Sequence, residues 1–551
     1  MTDKQPFFPY RAWSIAAWKD WDLQDMTLDR ALAEAPRHQI SCIELQDYVT
    51  WPYPAWVDAP ARFRSFPKLD EADQLTYHGR TLTKADRKAS ADRMKTVAQK
   101  VRDAGYELQV WYHCLGNHPA EAFEMYPEMK DADGEALYRF LGESLEDCFE
   151  FFPEITGLTI TSLHETTSLL QFAGDTSQAE RMHRLYKTFA DTCRKYDRRL
   201  ILRDFIARKS ELNDFSEVVD RLPADVVVQT KICLADWSAH EKPVNPYIFE
   251  YAKKKNPLVV EFELANNYTG ETDLPWSDPE QIWRQIRLLA ETGIHGAVGR
   301  ILNSGGIQSG TIFNCPNEAN VWAFSRTLFD PGRILQEPSD AWWHDYDHMD
   351  MSIWTDWAKL RFGEKAAGEV VHVLQQTPRM VALTLNICGA YFMVLSHHHE
   401  RHRRGLDNWL PAAIEAVERC GIAHARAEKD EAMRIVTDGL ARIEKLKDAM
   451  PAEGYANIHG ALTRAKHLVA MFRATAEAFV RALEVHAGRM ERSSLLEATA
   501  ELRAVIQAAH DVYGDKLFEG ASADVNAMAE YMEEFPDRVD EVRKNTGLYG
   551  K

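Results

Sequence analysis

Up to about residue 305, short apolar or β-branched runs recur along the chain. Each is followed by a polar stretch and then by a longer segment with apolar residues every three or four positions. Eight runs can be counted: RAWSIAAW from Arg11, ISCIELQ from Ile40, ELQVWYH from Glu107, ITGLTITS from Ile155, RLILRDF from Arg199, DVVVQTKI from Asp225, PLVVEFEL from Pro257 and GAVGRIL from Gly296. The intervening segments read as helices. Two of them, 83 to 105 and 278 to 293, close on a glycine, the residue favoured just beyond a helix end. Eight strands alternating with helices predict an α/β fold, a (β/α)8 TIM barrel; a doubly wound open sheet is the structural rival.

After about residue 335 the strand-like runs give way to long helical patterns. Met433, Val436, Leu440, Ile443 and Leu446 fall three or four apart with charges between them. The expected organisation is a catalytic barrel over 1–335 and an all-helical C-terminal domain over 336–551. Such a bundle serves packing or a homodimer contact more often than catalysis.

A length of 551 residues suits two or three units with ample core. A composition of 45% hydrophobic and 27% charged residues is that of a globular protein, and no apolar run approaches the roughly 20 residues a membrane span needs. The formal charge of -19 argues against nucleic acid as a partner, because phosphate binding depends on clustered Lys and Arg. The start, MTDKQPFFPYRAW, has no basic stretch followed by an apolar core. Eight scattered cysteines without a CxxC pair read as reduced, mostly buried thiols. A cytoplasmic location is therefore expected.

In a barrel of this kind, chemistry comes from the carboxyl ends of the strands and the loops after them. His164 and Glu165 follow the fourth run, Arg203 and Asp204 end the fifth, and Asp236 and Glu241 follow the sixth. Glu263, Asn266 and Asn267 follow the seventh, and Glu44 and Asp47 the second. Hydrolysis of a glycosidic bond needs one protonated carboxyl for the leaving oxygen and a second, ionised one to attack or to activate water. Glu165 and Asp236 suit those roles. A solvated loop carboxylate or a turn residue is the plainer account of each.

GLTITSLHE (157 to 165), VVVQTK followed by LAD (226 to 236), NNYTGE (266 to 271) and LRDF (202 to 205) resemble stretches of the glycoside hydrolase family 67 α-glucuronidases. The resemblance is spread thinly over the barrel, and a divergent relative is equally in view. It implies that Glu165, counted from Gly157, is the general acid and that Asp236 belongs to the water-activating pair. It further implies that Arg203 contacts the uronic acid carboxylate, that Trp18 shapes the sugar pocket, and that attack proceeds with inversion. Lys231 and His164 are added as sugar contacts. Two positions depart from the family: Asn267 stands where it has a second base carboxylate, and Thr161 where it has a carboxylate-gripping Lys. An amide holds a water without taking its proton, so Asp236 would act alone or with a neighbour such as Glu263 or Asp47. The family's separate N-terminal domain is not expected here.

The expected activity is release of a terminal sugar, a uronic acid, from an oligosaccharide, with no cofactor and no metal. Two alternatives remain open. One is a metal-assisted barrel isomerase or lyase using Glu44, His113, Glu263 and the His397 to His402 cluster; the other is a non-catalytic sugar-binding relative. HHHERHRR (397 to 404) places His398 and His402 at a helical metal-chelating spacing, although a solvated helix face accounts for it more simply. WPYPAW (51 to 56) could line a subsite. SGGIQSG (304 to 310) lacks the ending of a phosphate-binding loop.

Overall fold

The computed structural model describes residues 5–16, 21–46, 66–77, 80–112, 115, 119, 121–161, 169, 171–204, 209–233, 244–264, 274–303, 311–332, 349–392, 403–513 and 527–544. Eight parallel strands close a barrel in chain order: β1 (Tyr10–Ala16), β2 (Cys42–Gln46), β3 (Glu107–Tyr112), β4 (Gly157–Thr161), β5 (Arg199–Arg203), β6 (Val227–Lys231), β7 (Leu258–Glu263) and β8 (Gly296–Asn303). Every apolar run read as a strand is one, and the expected (β/α)8 barrel is the fold.

The seam between β8 and β1 depends on a missing side chain. A Cβ on Gly296 would lie 2.0 Å from the carbonyl oxygen of Tyr10, so only glycine lets the strands approach there.

Alternation along the strands sorts side chains to two faces. Outward residues such as Trp13, Ile43, Val110, Ile160, Leu202, Val228 and Phe262 pack beneath the surrounding helices. Inward, Tyr10, Ala12, Cys42, Ile201, Val227, Val259 and Val298 plug the amino end of the barrel. Helix Lys84–Asp103 starts at a capping box in which the Asp86 amide donates to Thr83 Oγ1 (3.2 Å) and the Thr83 amide to Asp86 Oδ2 (2.9 Å). It ends before Gly105, whose φ of +83° only glycine adopts freely.

Beyond residue 349 the described chain is helical apart from one short hairpin. Val436, Leu440 and Ile443 are buried on helix Ile422–Glu444, with Met433 and Leu446 packed at the margin, as the spacing predicted. That helix and Arg492–Tyr513 pack on the long helix Ala452–His486. Barrel and helices share one apolar core running from Phe8 to Val542. A partly buried ionic contact also joins them: Arg361 Nη2 lies 3.0 Å from Glu34 and 2.5 Å from Glu318. Among the described residues, no helix is long and apolar enough to cross a membrane.

Candidate functional site

Above the apolar plug, the inward positions change character two residues further along each strand. Cys42 gives way to Glu44, Ile201 to Arg203, Val227 to Gln229, Val259 to Glu261 and Val298 to Arg300; β3 and β4 add Gln109 and Thr159. One step nearer the carboxyl end stand Trp111, Thr161, Lys231 and Glu263. All are buried. Charged groups in such a place need partners, since an unpaired ion away from water is very costly.

Glu261 is the hub. It accepts hydrogen bonds from Arg203 Nε (2.5 Å) and Nη2 (2.8 Å) and from Gln229 Nε2 (2.8 Å), and Arg300 Nη2 lies 2.8 Å away. Burial would raise its pKa, but the guanidiniums of Arg203 and Arg300 outweigh burial and hold it well below the usual carboxylate range. The same two guanidiniums lie 4.3 Å and 4.7 Å from the Trp111 ring centre, a double cation–π contact. The Trp111 indole donates to Thr161 Oγ1 at 2.5 Å. Thr161 therefore serves the barrel's interior polar network.

Glu263, the last residue of β7, behaves differently. Its Oε1 lies 3.3 Å from Arg300 Nε without the alignment of a hydrogen bond. Burial drives its pKa up to about 7, against the pull of Arg300 and with the help of the Glu261 charge. It is poised to hold or release a proton near neutrality. Burial, followed by the Arg203 charge, pushes Lys231 well below its ordinary value. Burial and the Glu261 charge raise Glu44, which accepts from Thr159 Oγ1 at 2.9 Å. Asp204 points the other way: Thr230 Oγ1 donates to it at 2.8 Å, and burial raises its pKa to about 6.

Of the residues singled out from sequence, Arg203 and Lys231 are inward-facing and brought together in this assembly, with Glu44 and Glu263 beside them. Trp18, His164, Glu165, Asp236 and Asn267 lie outside the described residues, as do Asp47, His113, Glu241, Asn266, WPYPAW, SGGIQSG and the His397 to His402 cluster. Among the described residues, no three His, Cys, Asp or Glu side chains are grouped to hold a metal ion. The sequence reading missed Trp111, Gln229, Glu261 and Arg300. For the last three the signal was present: DVVVQTKI, PLVVEFEL and GAVGRIL each place a polar residue two positions beyond an inward valine. A cavity of about 630 Å³ opens instead beside Arg37, Trp283 and Arg326, and none of the residues above lines it.

The fold and site define the chain as a (β/α)8 barrel with a polar, charged carboxyl end and a helical C-terminal region. No protein-family model and no curated protein matches it. Among solved structures it is similar to a GH138 enzyme targeting pectin rhamnogalacturonan II, with a TM-score of 0.62 and 9% identity over 98% of this chain and 84% of the other. It is also similar to a family GH115 4-O-methyl-α-glucuronidase with specificity for decorated arabinogalactans. The TM-score there is 0.51 and the identity 15%, over 96% of this chain and 62% of the other. Both likenesses concern the barrel and its helical extension together.

Proposed function

We propose that this chain is a glycoside hydrolase that releases a terminal uronic acid from an oligosaccharide, in the manner of an α-glucuronidase. Glu165, four residues beyond the end of β4, donates its proton to the glycosidic oxygen as that bond breaks. Asp236, five residues beyond the end of β6, receives the proton of the water that attacks the anomeric carbon, giving inversion. Glu263 takes the place of the second carboxylate for which Asn267 cannot substitute, because a carboxyl with a pKa near 7 can accept a proton at working pH.

The observation that carries the reading is the row of buried carboxylates and cations at the carboxyl end of the barrel, the end from which β4 and β6 continue in sequence to Glu165 and Asp236. Arg203 and Lys231 are the described residues assigned to the sugar, and Trp18, His164 and Asn267 are the remaining substrate contacts. The likeness to two glycoside hydrolases supports the class. In this reading residues 1–335 form the catalytic unit and 336–551 a packing or homodimer element.

The test is an NMR-followed incubation of the full chain with uronide and neutral oligosaccharides, recording the anomer first released. Glu165→Gln is expected to lose about 10²- to 10⁴-fold in rate on a substrate with a poor leaving group. The proposal fails if no uronide is cleaved, or if Glu165→Gln cleaves as fast as the wild type.

A further inference from the structure

The cavity of about 630 Å³ beside Arg37, Trp283 and Arg326 shares no residue with the polar assembly of the barrel, and its volume falls in the roughly 300 to 1,000 Å³ of small-molecule sites. Three helices meet around it: Trp21–His38, which leads into β2, Pro279–Glu291, which leads into β8, and Glu318–Phe329, which follows β8. Two of its lining side chains are buried polar groups. His38 is 3% exposed and Ser325 1%, and among the described residues neither His38 Nε2 nor Ser325 Oγ has a hydrogen-bond partner. Such groups are costly to bury unless something bonds to them. The His38 ring is fixed against Trp13 and Trp322, whose ring centres lie 5.1 Å and 5.2 Å away. Burial, followed by the Arg37, Arg361 and Arg326 charges, holds its pKa down to about 3, so it meets a ligand as a neutral donor or acceptor.

Guanidiniums line the same cavity, in a chain whose formal charge is -19. Arg287 lies over the Trp283 ring and Arg326 over the Trp322 ring, each 4.8 Å from the ring centre. These aromatic seats hold two planar forks in place. Arg37 Nη1 and Arg326 Nη1 also lie 3.0 Å from Glu34 and Asp356. Both arginine side chains are exposed, and ion pairs open to water contribute so little that a bidentate acceptor in the cavity can compete with them. The lining carboxylates are engaged by the backbone: Asp330 Oδ1 accepts from the Gly332 amide at 3.1 Å and Asp350 Oδ1 from the Ser352 amide at 2.8 Å. Arg37, Arg287 and Arg326 thus outnumber the acids of the lining.

We propose that this cavity is a second binding site, for a small acidic saccharide: one or two sugar rings carrying a carboxylate or a phosphate. Arg37, Arg287 and Arg326 take the anionic group, whose oxygens match the guanidinium fork. His38 and Ser325, more deeply buried, exchange hydrogen bonds with ring hydroxyls. The anion follows from the cations of the lining alone. The choice of a sugar to carry it follows from the two neutral buried groups and rests on the glycoside hydrolase reading. No bond is made or broken here, so the site holds substrate or product apart from the reacting centre.

The experiment uses the full chain carrying Glu165→Gln, so that hydrolysis does not deplete the probe. Digalacturonic acid, glucose 6-phosphate, the neutral disaccharide lactose and the sugar-free anion succinate are titrated by calorimetry, and amide hydrogen exchange locates each. At least one of the two acidic sugars is expected to bind and to slow exchange over residues 37 to 40, 325 to 332 and 349 to 353; the tighter of them tells carboxylate from phosphate. Lactose and succinate should bind about tenfold more weakly or worse. Arg326→Met changes an exposed side chain, so the fold is kept, and it should weaken the tighter probe by about tenfold or more. Ser325→Ala should weaken that probe without affecting succinate. The proposal is overturned if neither acidic sugar slows exchange in those segments, if succinate binds as tightly as they do, or if Arg326→Met leaves the affinity unchanged. Protection confined to the carboxyl ends of the barrel strands overturns it as well, while leaving the barrel site standing, so its failure is distinct from a failure of uronide cleavage.

Discussion

Glu261→Gln removes the charge at the centre of the barrel while keeping the side chain's size. The Glu261 and Arg203 side chains are each only 1% exposed, and the carboxylate receives two hydrogen bonds from Arg203 and one from Gln229 besides its contact with Arg300. An amide presents its NH2 to at least one of these donors, takes the buried counter-ion from Arg203 and leaves Arg300 with Glu263 in place of both carboxylates. Breaking a buried pair from one side costs about 3 to 5 kcal/mol. That is a large share of the roughly 5 to 15 kcal/mol by which a domain is stable.

A chain of 551 residues need not unfold in one step, so the loss is best measured as native-state hydrogen exchange of the β5 to β7 amides. The pair can also be removed whole. In Glu261→Gln/Arg203→Met the second change should add nothing or restore part of the loss, a coupling of about 1 kcal/mol or more. Because the folded pKa of Glu261 is depressed, its contribution is complete above the ordinary carboxylate range and is lost as the pH falls through the folded value. Additive losses, or a Glu261→Gln protein within about 0.5 kcal/mol of wild type at pH 7, would refute the clamp.

Glu263 has the opposite sign. Its folded pKa is raised from 4.5 to about 7, so its contribution is most favourable below 4.5, declines as the pH rises to 7 and levels off above that. Glu263→Gln should remove this slope and gain roughly 3 kcal/mol relative to wild type at pH 8, measured as native-state hydrogen exchange of the β7 amides across the pH range. An unchanged slope would mean that the group ionises normally. Gly296→Ala should lose about 1 to 3 kcal/mol or more, because its Cβ meets the Tyr10 backbone and the β8–β1 seam must open. A melting temperature equal to wild type would show that the seam relaxes freely.

The eight strands were legible as short apolar runs because each is buried on its outer face by helices and on its inner face by the plug. The helices were legible from their period and their terminal glycines. Arg203 and Lys231 were found because they end strands, which is where barrel chemistry lies. Glu261 and Arg300 were passed over because a single charge within an apolar run carries no local sign of the partner that makes it tolerable. Asp204 stands next to Arg203 in sequence, yet the pleat sends it out of the barrel to Thr230.

The sequence by itself therefore determined the elements and their order, since periodicity, capping and turn preference act over a few residues. It also supplied Glu165 and Asp236 as the acid and base of the proposed reaction. Tertiary structure alone decided which charges meet. Arg203 and Glu261 are 58 residues apart, and they become partners only when the barrel closes. The same holds for the ionisation of Glu263. Burial and the distance between groups set these properties, and neither exists until the chain has packed.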